Sequence, residues 1–482
     1  MTPSVADGKY SEVMARRGEI MKRSLGLDYA SFELGGGIAF DYQALAGSPP
    51  YDLPAVQRIQ QDFKVGNTPL WELRQISLLV RQAAPSGLGA RLVLKDEAAN
   101  AAGSFKARRA SLAVAHAAEL GYAGVVAATS GNYGAAVASQ AAMRGLRAIV
   151  LQEAFDSEWR GQPEILEKTR ACEAYGAEVW QLTVGPELFY WHLLTLEETG
   201  FFNASLYTPY AVLGIETLGY EIASQCRSQF GRDPAVVLIT HSGGGNVTGT
   251  ARGLARSGAQ PEIVGVSVDL RPLHMASDHD FNRKSFTTGH TGFGIPFTVN
   301  PDRVEVPRNA ARPLRYLDRY VTVTQGEVFF ATELLAQLEG LERGPAGNIS
   351  LAAAMSVARE LPEDALVVVQ ETEYTGAGKH PTAQLTMARE QGIEVCRGDP
   401  ADNRPGARIV IPEDVDQVRA RDVDLDELRR TYLGRAVNAA SGRPVNSEEL
   451  RFLAADVGAT PGRLAVLWRS LVEGSRGADA RV

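Results

Sequence analysis

One lysine in this sequence has the local context of a reactive amine. Lys106 lies in the stretch GSFKARRA, Gly103 to Ala110, after a predicted strand at Arg91–Lys95 and the turn DEAANAAGS. Ser104 is a suitable N-cap, so Lys106 is predicted in the first turn of a helix that runs to about Leu120. A lysine that forms a Schiff base must be unprotonated part of the time, and a helix start favours this. The alternative is a solvated lysine on an amphipathic helix.

A second stretch, ATSGNYGAAVAS (Ala128–Ser139), is suited to bind a carboxylate. A predicted strand leads into Ser130, Gly131, Asn132 and Tyr133, and a helix of small residues follows. The loop offers backbone N–H groups, a hydroxyl and an amide at a helix N-terminus, where anions are stabilised. These four residues are candidate substrate contacts, and a strand–helix turn without a ligand is the alternative.

A third stretch, HSGGGNVTGTARG (His241–Gly253), is suited to bind a phosphate monoester. The glycines Gly243, Gly244 and Gly245, followed by Asn246, let several backbone N–H groups converge on one anion at the start of a helix. No lysine closes the loop as in GxxxxGK[ST], and the dinucleotide pattern GxGxxG is absent. The two common nucleotide loops are therefore not indicated.

Composition narrows the class of protein. The chain has 482 residues, 45% hydrophobic and 22% charged, which favours a globular protein of two to three domains. Its net charge of −8 argues against nucleic acid and anionic membranes as partners. Neither a signal peptide nor a long apolar run is present, and the three cysteines lack metal-ligand spacing, so we expect a cytoplasmic protein with no metal site.

The pattern of elements predicts an α/β fold with a helical extension. Continuous apolar runs alternate with helices from about residue 91 to 400, which is typical of a largely parallel sheet buried on both faces. We expect an N-terminal arm (1–60), an α/β core (61–400) and a helical extension (401–482). The predicted strands are Gly124–Thr129, Arg147–Gln152, Glu178–Leu182, Ala235–Thr240, Glu262–Val268 and Ala365–Glu371.

The order and spacing of the three stretches resemble those of the fold-type-II pyridoxal phosphate (PLP) enzymes, the tryptophan synthase β-like group that includes threonine synthase. VGNTPL, starting at Val65, matches the opening signature of that group. The resemblance implies that residues 61–400 form a catalytic core of two α/β subdomains, the smaller at about 105–205. It further implies two open, twisted, mostly parallel sheets flanked by helices, with PLP as the cofactor. It also implies that Lys106 holds the cofactor as a Schiff base and moves the proton, that Asn132 bonds the ring hydroxyl, and that Gly243–Asn246 hold the phosphate.

The partner of the cofactor's pyridine nitrogen is expected after the last core strand. There VVVQETEYTGAGKH offers the hydroxyls of Thr372 and Thr375, with Glu371 and Glu373 alongside. A hydroxyl leaves the pyridine nitrogen largely neutral, whereas a carboxylate protonates it. We favour Thr372.

Nearly the whole chain resembles the β subunits of 2-amino-4-oxopentanoate thiolase, on GSFKARRASLAV, SGNYGAAVASQAAM, FNASLYTP and GGGNVTGTARGL. That resemblance implies cleavage of 2-amino-4-oxopentanoate, an amino-acid substrate, with coenzyme A to acetyl-CoA and alanine. It also implies a small companion subunit, and we expect a homodimer. The inserted loop FNRKSFTTGHTGFGIPF supplies the candidate substrate contacts Arg283, Lys284, Thr288 and His290.

Three alternatives remain open. The same scaffold can carry a threonine synthase-like β- or γ-replacement or elimination, and a thiolase can run in reverse, condensing alanine with an acyl thioester. A PLP-binding regulator without activity is the alternative of another class, and the intact Lys106, Asn132 and glycine triplet argue against it.

The three C-terminal helix candidates each have an apolar stripe that must be buried. We expect them to dock on the chain's own body, a second copy or the companion. Their buried face is predicted at Leu464, Leu467 and Trp468, from i, i+3, i+4 spacing.

Overall fold

The strands account for both predicted sheets. The computed structural model describes residues 5–36, 38–129, 131–155, 159–161, 163–183, 187–205, 208–270, 313–374, 381–440 and 442–479. In these residues the strands are β1 Glu33–Leu34, β2 Ala39–Phe40, β3 Leu70–Glu72, β4 Arg91–Asp96, β5 Gly124–Thr129, β6 Arg147–Phe155, β7 Glu178–Thr183, β8 Phe202–Asn203, β9 Val236–Thr240, β10 Glu262–Val268, β11 Arg319–Val323, β12 Leu366–Glu371, β13 Glu394–Arg397, β14 Arg408–Ile411 and β15 Arg421–Asp422.

Helices connect most of these strands and cover their faces. They are α1 Val5–Ala15, α2 Arg17–Leu25, α3 Tyr42–Ala46, α4 Leu53–Asp62, α5 Arg74–Gln82, α6 Lys106–Glu119, α7 Asn132–Met143, α8 Pro163–Ala174, α9 Glu187–Thr199, α10 Pro209–Phe230, α11 Gly245–Arg256, α12 Gln325–Glu339, α13 Ile349–Val357, α14 Pro381–Glu390, α15 Leu425–Ala440, α16 Ser447–Asp456 and α17 Pro461–Asp479. None of the helices in the described part of the chain has both the length and the apolar character needed to span a bilayer.

The larger sheet has seven strands in the order β15-β11-β10-β9-β12-β4-β3. Its five central strands are parallel, and the two edge strands β3 and β15 run antiparallel to their neighbours. All residues of the central strand β12 are buried, as expected for a strand covered by helices on both faces. The predicted largely parallel sheet is confirmed.

The smaller sheet has four parallel strands in the order β7-β6-β5-β8. β5 and β10 have the bounds that the sequence predicts, and β6 continues three residues further, to Phe155. These strands could be predicted from continuous apolar runs, because a strand buried on both faces is apolar at nearly every position.

A cluster of buried charged side chains connects three parts of the chain: residues 68–97, α6 and α10. Arg108 is fully buried, and its guanidinium donates to both carboxylate oxygens of Glu97 (2.7 and 2.8 Å) and of Glu221 (2.9 and 2.7 Å). Lys95 Nζ donates to Glu221 (3.0 Å) and to the Thr68 carbonyl (2.7 Å). Two cations thus face two carboxylates. Burial raises the pKa of Glu221, but Arg108 and Lys95 outweigh it and lower that pKa to about 2.

The segment between α14 and α15 packs against the larger sheet and its helices before the terminal helices begin. β14 pairs with β13, β15 pairs with β11, and Arg421 Nη1 bonds the buried carboxylate of Glu327 on α12 (2.8 Å). The helices α15, α16 and α17 follow from Leu425. The division at residues 60 and 400 remains a prediction.

The terminal helices pack on the N-terminal segment of the same chain. Leu464 and Leu467 are buried with Leu453 in a cluster that includes Ile38 and Ala39, and Trp468 packs partly buried against it. This confirms the predicted face and selects docking on the chain's own body for α17. Arg443 adds a hydrogen bond from Nη2 to the Gly35 carbonyl (2.6 Å).

Replacing Arg108 should destabilise the protein far more than replacing a surface arginine. Arg108→Met leaves Glu97 and Glu221 buried without their main cation, which costs about 3–5 kcal/mol. Because the folded pKa of Glu221 is depressed, its contribution is present at neutral pH and lost as the pH falls from about 4.5 to about 2. The variant should lose this acid dependence, measured by denaturant unfolding across pH.

Arg232→Met is the matched control, because Arg232 pairs with Asp364 on the surface and both side chains are well exposed. It should change the unfolding free energy by less than about 1 kcal/mol. Equal stability of the two variants would contradict the role given to the cluster.

Two adjacent residues on α17 test the docking of the terminal helices. Leu467 is 1% exposed and Val466 is 53% exposed. Leu467→Asp buries an unpaired carboxylate and should release the tail, whereas Val466→Asp should have no effect. Hydrogen exchange at residues 34–40 and 447–467 measures this. If both variants show the same protection from hydrogen exchange, the terminal helices do not hold the N-terminal segment in place.

Candidate active site

Three neighbouring strands bring the Lys106 stretch, the glycine triplet and the segment after β12 to one edge of the larger sheet, whereas the SGNYG stretch follows β5 of the smaller sheet. β9, β12 and β4 are adjacent and parallel, so their carboxyl ends lie at the same edge. β9 leads into the glycine triplet and α11, and β4 leads into α6. In open parallel sheets this edge is where ligands bind.

Backbone hydrogen bonds connect the residues just before Lys106 to the segment that follows β12. Phe105 N donates to the Thr372 carbonyl (3.1 Å), and Tyr374 N donates to the Gly103 carbonyl (2.8 Å). Residue 104 is therefore in an extended conformation, and α6 begins at Lys106 with Phe105 as its N-cap. The prediction of Ser104 as the N-cap is wrong, because its backbone pairs with Glu373 and its hydroxyl makes no hydrogen bond to the described residues. The prediction of Lys106 in the first turn is confirmed.

The surroundings of Lys106 favour the neutral amine. Burial is the main cause that lowers the pKa of Lys106; Glu373 opposes it, Arg109 and Lys168 reinforce it, and Glu164 opposes it more weakly. Four charged side chains thus surround this one amine. A lysine with a lowered pKa spends more time as the nucleophilic free base.

The SGNYG loop is described from Gly131 onward. Gly131 N and Gly134 N both donate to the Thr129 hydroxyl (3.0 and 3.3 Å), and the remaining first-turn N–H groups of α7, those of Asn132 and Tyr133, have no intrahelical partner. The amide oxygen of Asn132 is buried with no hydrogen-bond partner among the described residues. Tyr133 is buried, and its hydroxyl donates to the Ser205 carbonyl (3.4 Å).

The glycine triplet begins α11. Gly244 has φ +83°, a left-handed conformation that favours glycine, and a Cβ there would lie 2.6 Å from Pro313 Cγ. The side chain of Asn246 donates to Gln370 on β12 (2.8 Å), so only its backbone N–H faces the loop. His241 is buried against Tyr320, with Nδ1 3.0 Å from the Tyr320 hydroxyl, and therefore packs beneath the loop.

The candidate partners of the pyridine nitrogen, at the carboxyl end of β12 and just after it, lie on two different faces of the sheet. Thr372 is buried and alternates with Glu371 and Glu373, so its side chain lies on the Gln370 face, where α11 packs. Glu371 lies on the other face, where Arg343 is 3.8 Å from its carboxylate. Burial, together with Asp96, raises the pKa of Glu371 well above its usual value.

Several predicted site residues lie outside the described residues: Ser130, Thr375, Arg283, Lys284, Thr288 and His290. Two charged residues next to Lys106 were not predicted from the sequence. Lys168, on α8, is 6% exposed and donates to the Tyr374 carbonyl (3.4 Å), and Arg109 lies one turn after Lys106 on α6. Arg109 was detectable from its i, i+3 spacing, whereas only the fold brings Lys168 near.

These residues fit a PLP molecule. Asn132 presents a buried amide oxygen to bond a ring hydroxyl, the glycine triplet and the N-terminus of α11 provide N–H groups for a phosphate, and Lys106 is an amine of lowered pKa. Each group lies where a parallel sheet exposes its ligand-binding edge. The arrangement therefore suits an amino-acid substrate activated through a Schiff base.

Comparison with known proteins agrees with this geometry. Residues 62–373 match the family model described as pyridoxal-phosphate dependent enzyme. The crystal structure of a threonine deaminase from T.th. covers 68% of this chain and 99% of its own, with 25% identity and a TM-score of 0.51.

Two 2-amino-4-ketopentanoate thiolase β subunits are similar over most of the chain. One, from an unknown prokaryotic organism, is 62% identical, and the other, from Acetoanaerobium sticklandii, is 57% identical. Each alignment covers 93% of this chain and 95% of the relative. The chain is therefore a pyridoxal-phosphate dependent enzyme of fold type II that belongs to the family of 2-amino-4-ketopentanoate thiolase β subunits.

Proposed function

We propose that this protein cleaves 2-amino-4-oxopentanoate with coenzyme A, giving acetyl-CoA and alanine. The observation that carries the proposal is Lys106, an amine of lowered pKa at the ligand-binding edge of a chain 62% identical to a thiolase β subunit. In this reaction the C3–C4 bond breaks and a C4–sulfur bond forms. The thiol proton is delivered to C3, so no oxidant or reductant is needed.

PLP would be held by Lys106, Asn132, the Gly243–Asn246 loop and Thr372. When bound, it supplies an electron sink that stabilises negative charge next to the amino-bearing carbon of the substrate. Thr372 is our candidate for the pyridine nitrogen because it lies on the α11 face of β12, whereas the carboxyl group of Glu371 lies on the other face with Arg343.

Lys106 is also the candidate for proton transfer. Its lowered pKa lets it accept the proton from the substrate Cα and return it, because a neutral amine is a base and its ammonium an acid. Two neighbouring charges act on the protonation of Lys106: Glu373 favours the ammonium form and Lys168 favours the neutral amine. Loss of either partner shifts the pH at which Lys106 works.

The substrate carboxylate has a place at the start of α7. The N–H groups of Asn132 and Tyr133 are in the first turn, where an anion is stabilised. Lys168 adds positive charge on the same side, because its Cγ lies 3.8 Å from where a Cβ on Gly131 would be. We therefore propose these residues for carboxylate binding.

The names of the relatives support a companion subunit. They are called β subunits, and we propose that this chain also works with a companion subunit. The predicted homodimer is part of the same proposal. The reverse condensation uses the same residues, so the direction depends on which substrates are supplied.

One assay tests the function directly. The purified chain, alone and with its companion, is given 2-amino-4-oxopentanoate and coenzyme A, and acetyl-CoA and alanine are quantified. We expect equal amounts of both, dependent on coenzyme A, and a loss of at least about 100-fold with Lys106→Ala, because general acid–base catalysis contributes that much.

Lys22→Ala is the control for this assay, because Lys22 is 59% exposed and pairs with Asp28 on the arm. It should keep full activity. Release of ammonia and a keto acid without acetyl-CoA would contradict the proposal and favour the elimination alternative.

A further inference from the structure

Arg109 is a buried cation beside the proposed cofactor site. It is 4% exposed and lies three residues after Lys106, so both side chains project from the same face of α6. Neither the reaction nor the proposed carboxylate site uses it. A guanidinium in such a position is well suited to an anionic ligand, because its planar fork matches carboxylate and phosphate oxygens.

The guanidinium lies against the first residue of α11. A Cβ added to Gly245 would lie 2.6 Å from Arg109 Nη2 and 3.1 Å from its Cζ. Gly245 follows the left-handed Gly244 and opens the helix whose first-turn N–H groups have no intrahelical partners. The absence of a side chain on Gly245 is therefore what lets a cation approach these N–H groups.

The ring of Tyr133 is a second neighbour of the Arg109 guanidinium. Arg109 Cζ lies 5.7 Å from the ring centroid, within the range of a cation–π interaction. Tyr133 is itself fixed, because it is buried and its hydroxyl bonds the Ser205 carbonyl. The guanidinium is thus positioned between the α7 loop and the glycine loop.

We propose that Arg109 binds the phosphate of PLP together with the N–H groups of the glycine loop. This rests on the proposed placement of the phosphate at Gly243–Asn246. A helix N-terminus contributes partial positive charge, and the guanidinium adds a full charge with charge-assisted hydrogen bonds. The site should then select the phosphorylated form of the cofactor over free pyridoxal.

Binding of two forms of the cofactor tests this selectivity. Apoprotein is titrated with PLP and with pyridoxal, and the absorbance of the bound form gives each Kd. In Arg109→Met the Kd for PLP should rise about 10- to 100-fold, as for loss of hydrogen bonds to a charged group, while the Kd for pyridoxal changes less than about twofold. Arg109→Lys should restore part of the loss, because it keeps the charge without the fork.

Arg256→Gln is the control. Arg256 lies at the end of α11, is 45% exposed and pairs with Glu216, so both Kd values should match the wild type. An equal loss for PLP and pyridoxal in the Arg109 variants, or no loss in either, would overturn the proposal. If Arg109→Met does not fold, Arg109→Lys provides the test. In that variant the Kd for PLP must still rise, by a smaller factor, while the Kd for pyridoxal stays the same.

The test of Arg109 is independent of the test of the proposed reaction. The ratio of the two Kd values is measured without substrate or coenzyme A. A protein that shows the predicted ratio but forms no acetyl-CoA would contradict the thiolase proposal alone. A protein that forms acetyl-CoA with an unchanged ratio in Arg109→Met would contradict the role of Arg109 alone.

Discussion

The position of the reactive lysine depends on a buried ion cluster two residues further along the same helix. Arg108 connects α6 to Glu97, just after β4, and to Glu221 on α10, all within the protein interior. A buried guanidinium is stabilising only when its carboxylates stay in place, so these segments cannot move independently. The first turn of α6, which carries Lys106, is held at the end of the sheet by the same interaction.

Parallel strands supply the second constraint. Because β9, β12 and β4 are neighbours, a glycine loop, an acidic exit segment and a helix start meet at one edge of the sheet. Lys106 is therefore surrounded by charges that come from distant parts of the sequence, with Glu373 opposing and Lys168 favouring a lower pKa. The reactivity of the amine results from the fold as a whole and not from its own helix.

Much of this arrangement was predictable from the sequence, and the failures have physical causes. Continuous apolar runs located β5 and β10, and the i, i+3, i+4 pattern located Leu464 and Leu467. Ser104 was misassigned because a serine hydroxyl before a helix normally caps it, whereas here the backbone pairs with Glu373, two residues after the end of β12. Lys168 could not be found, since its approach to Tyr374 depends on how two sheets are placed.

The central claim is that Lys106 carries the cofactor, and chemical labelling tests it most directly. Protein loaded with PLP is reduced with borohydride, which makes the Schiff base permanent, and the labelled peptide is identified by mass spectrometry. The account predicts the label on Lys106, at about one per chain, because its pKa is lowered and its helix α6 packs against α7, which begins at Asn132. A label on Lys95 or Lys168 with Lys106 unmodified would contradict it.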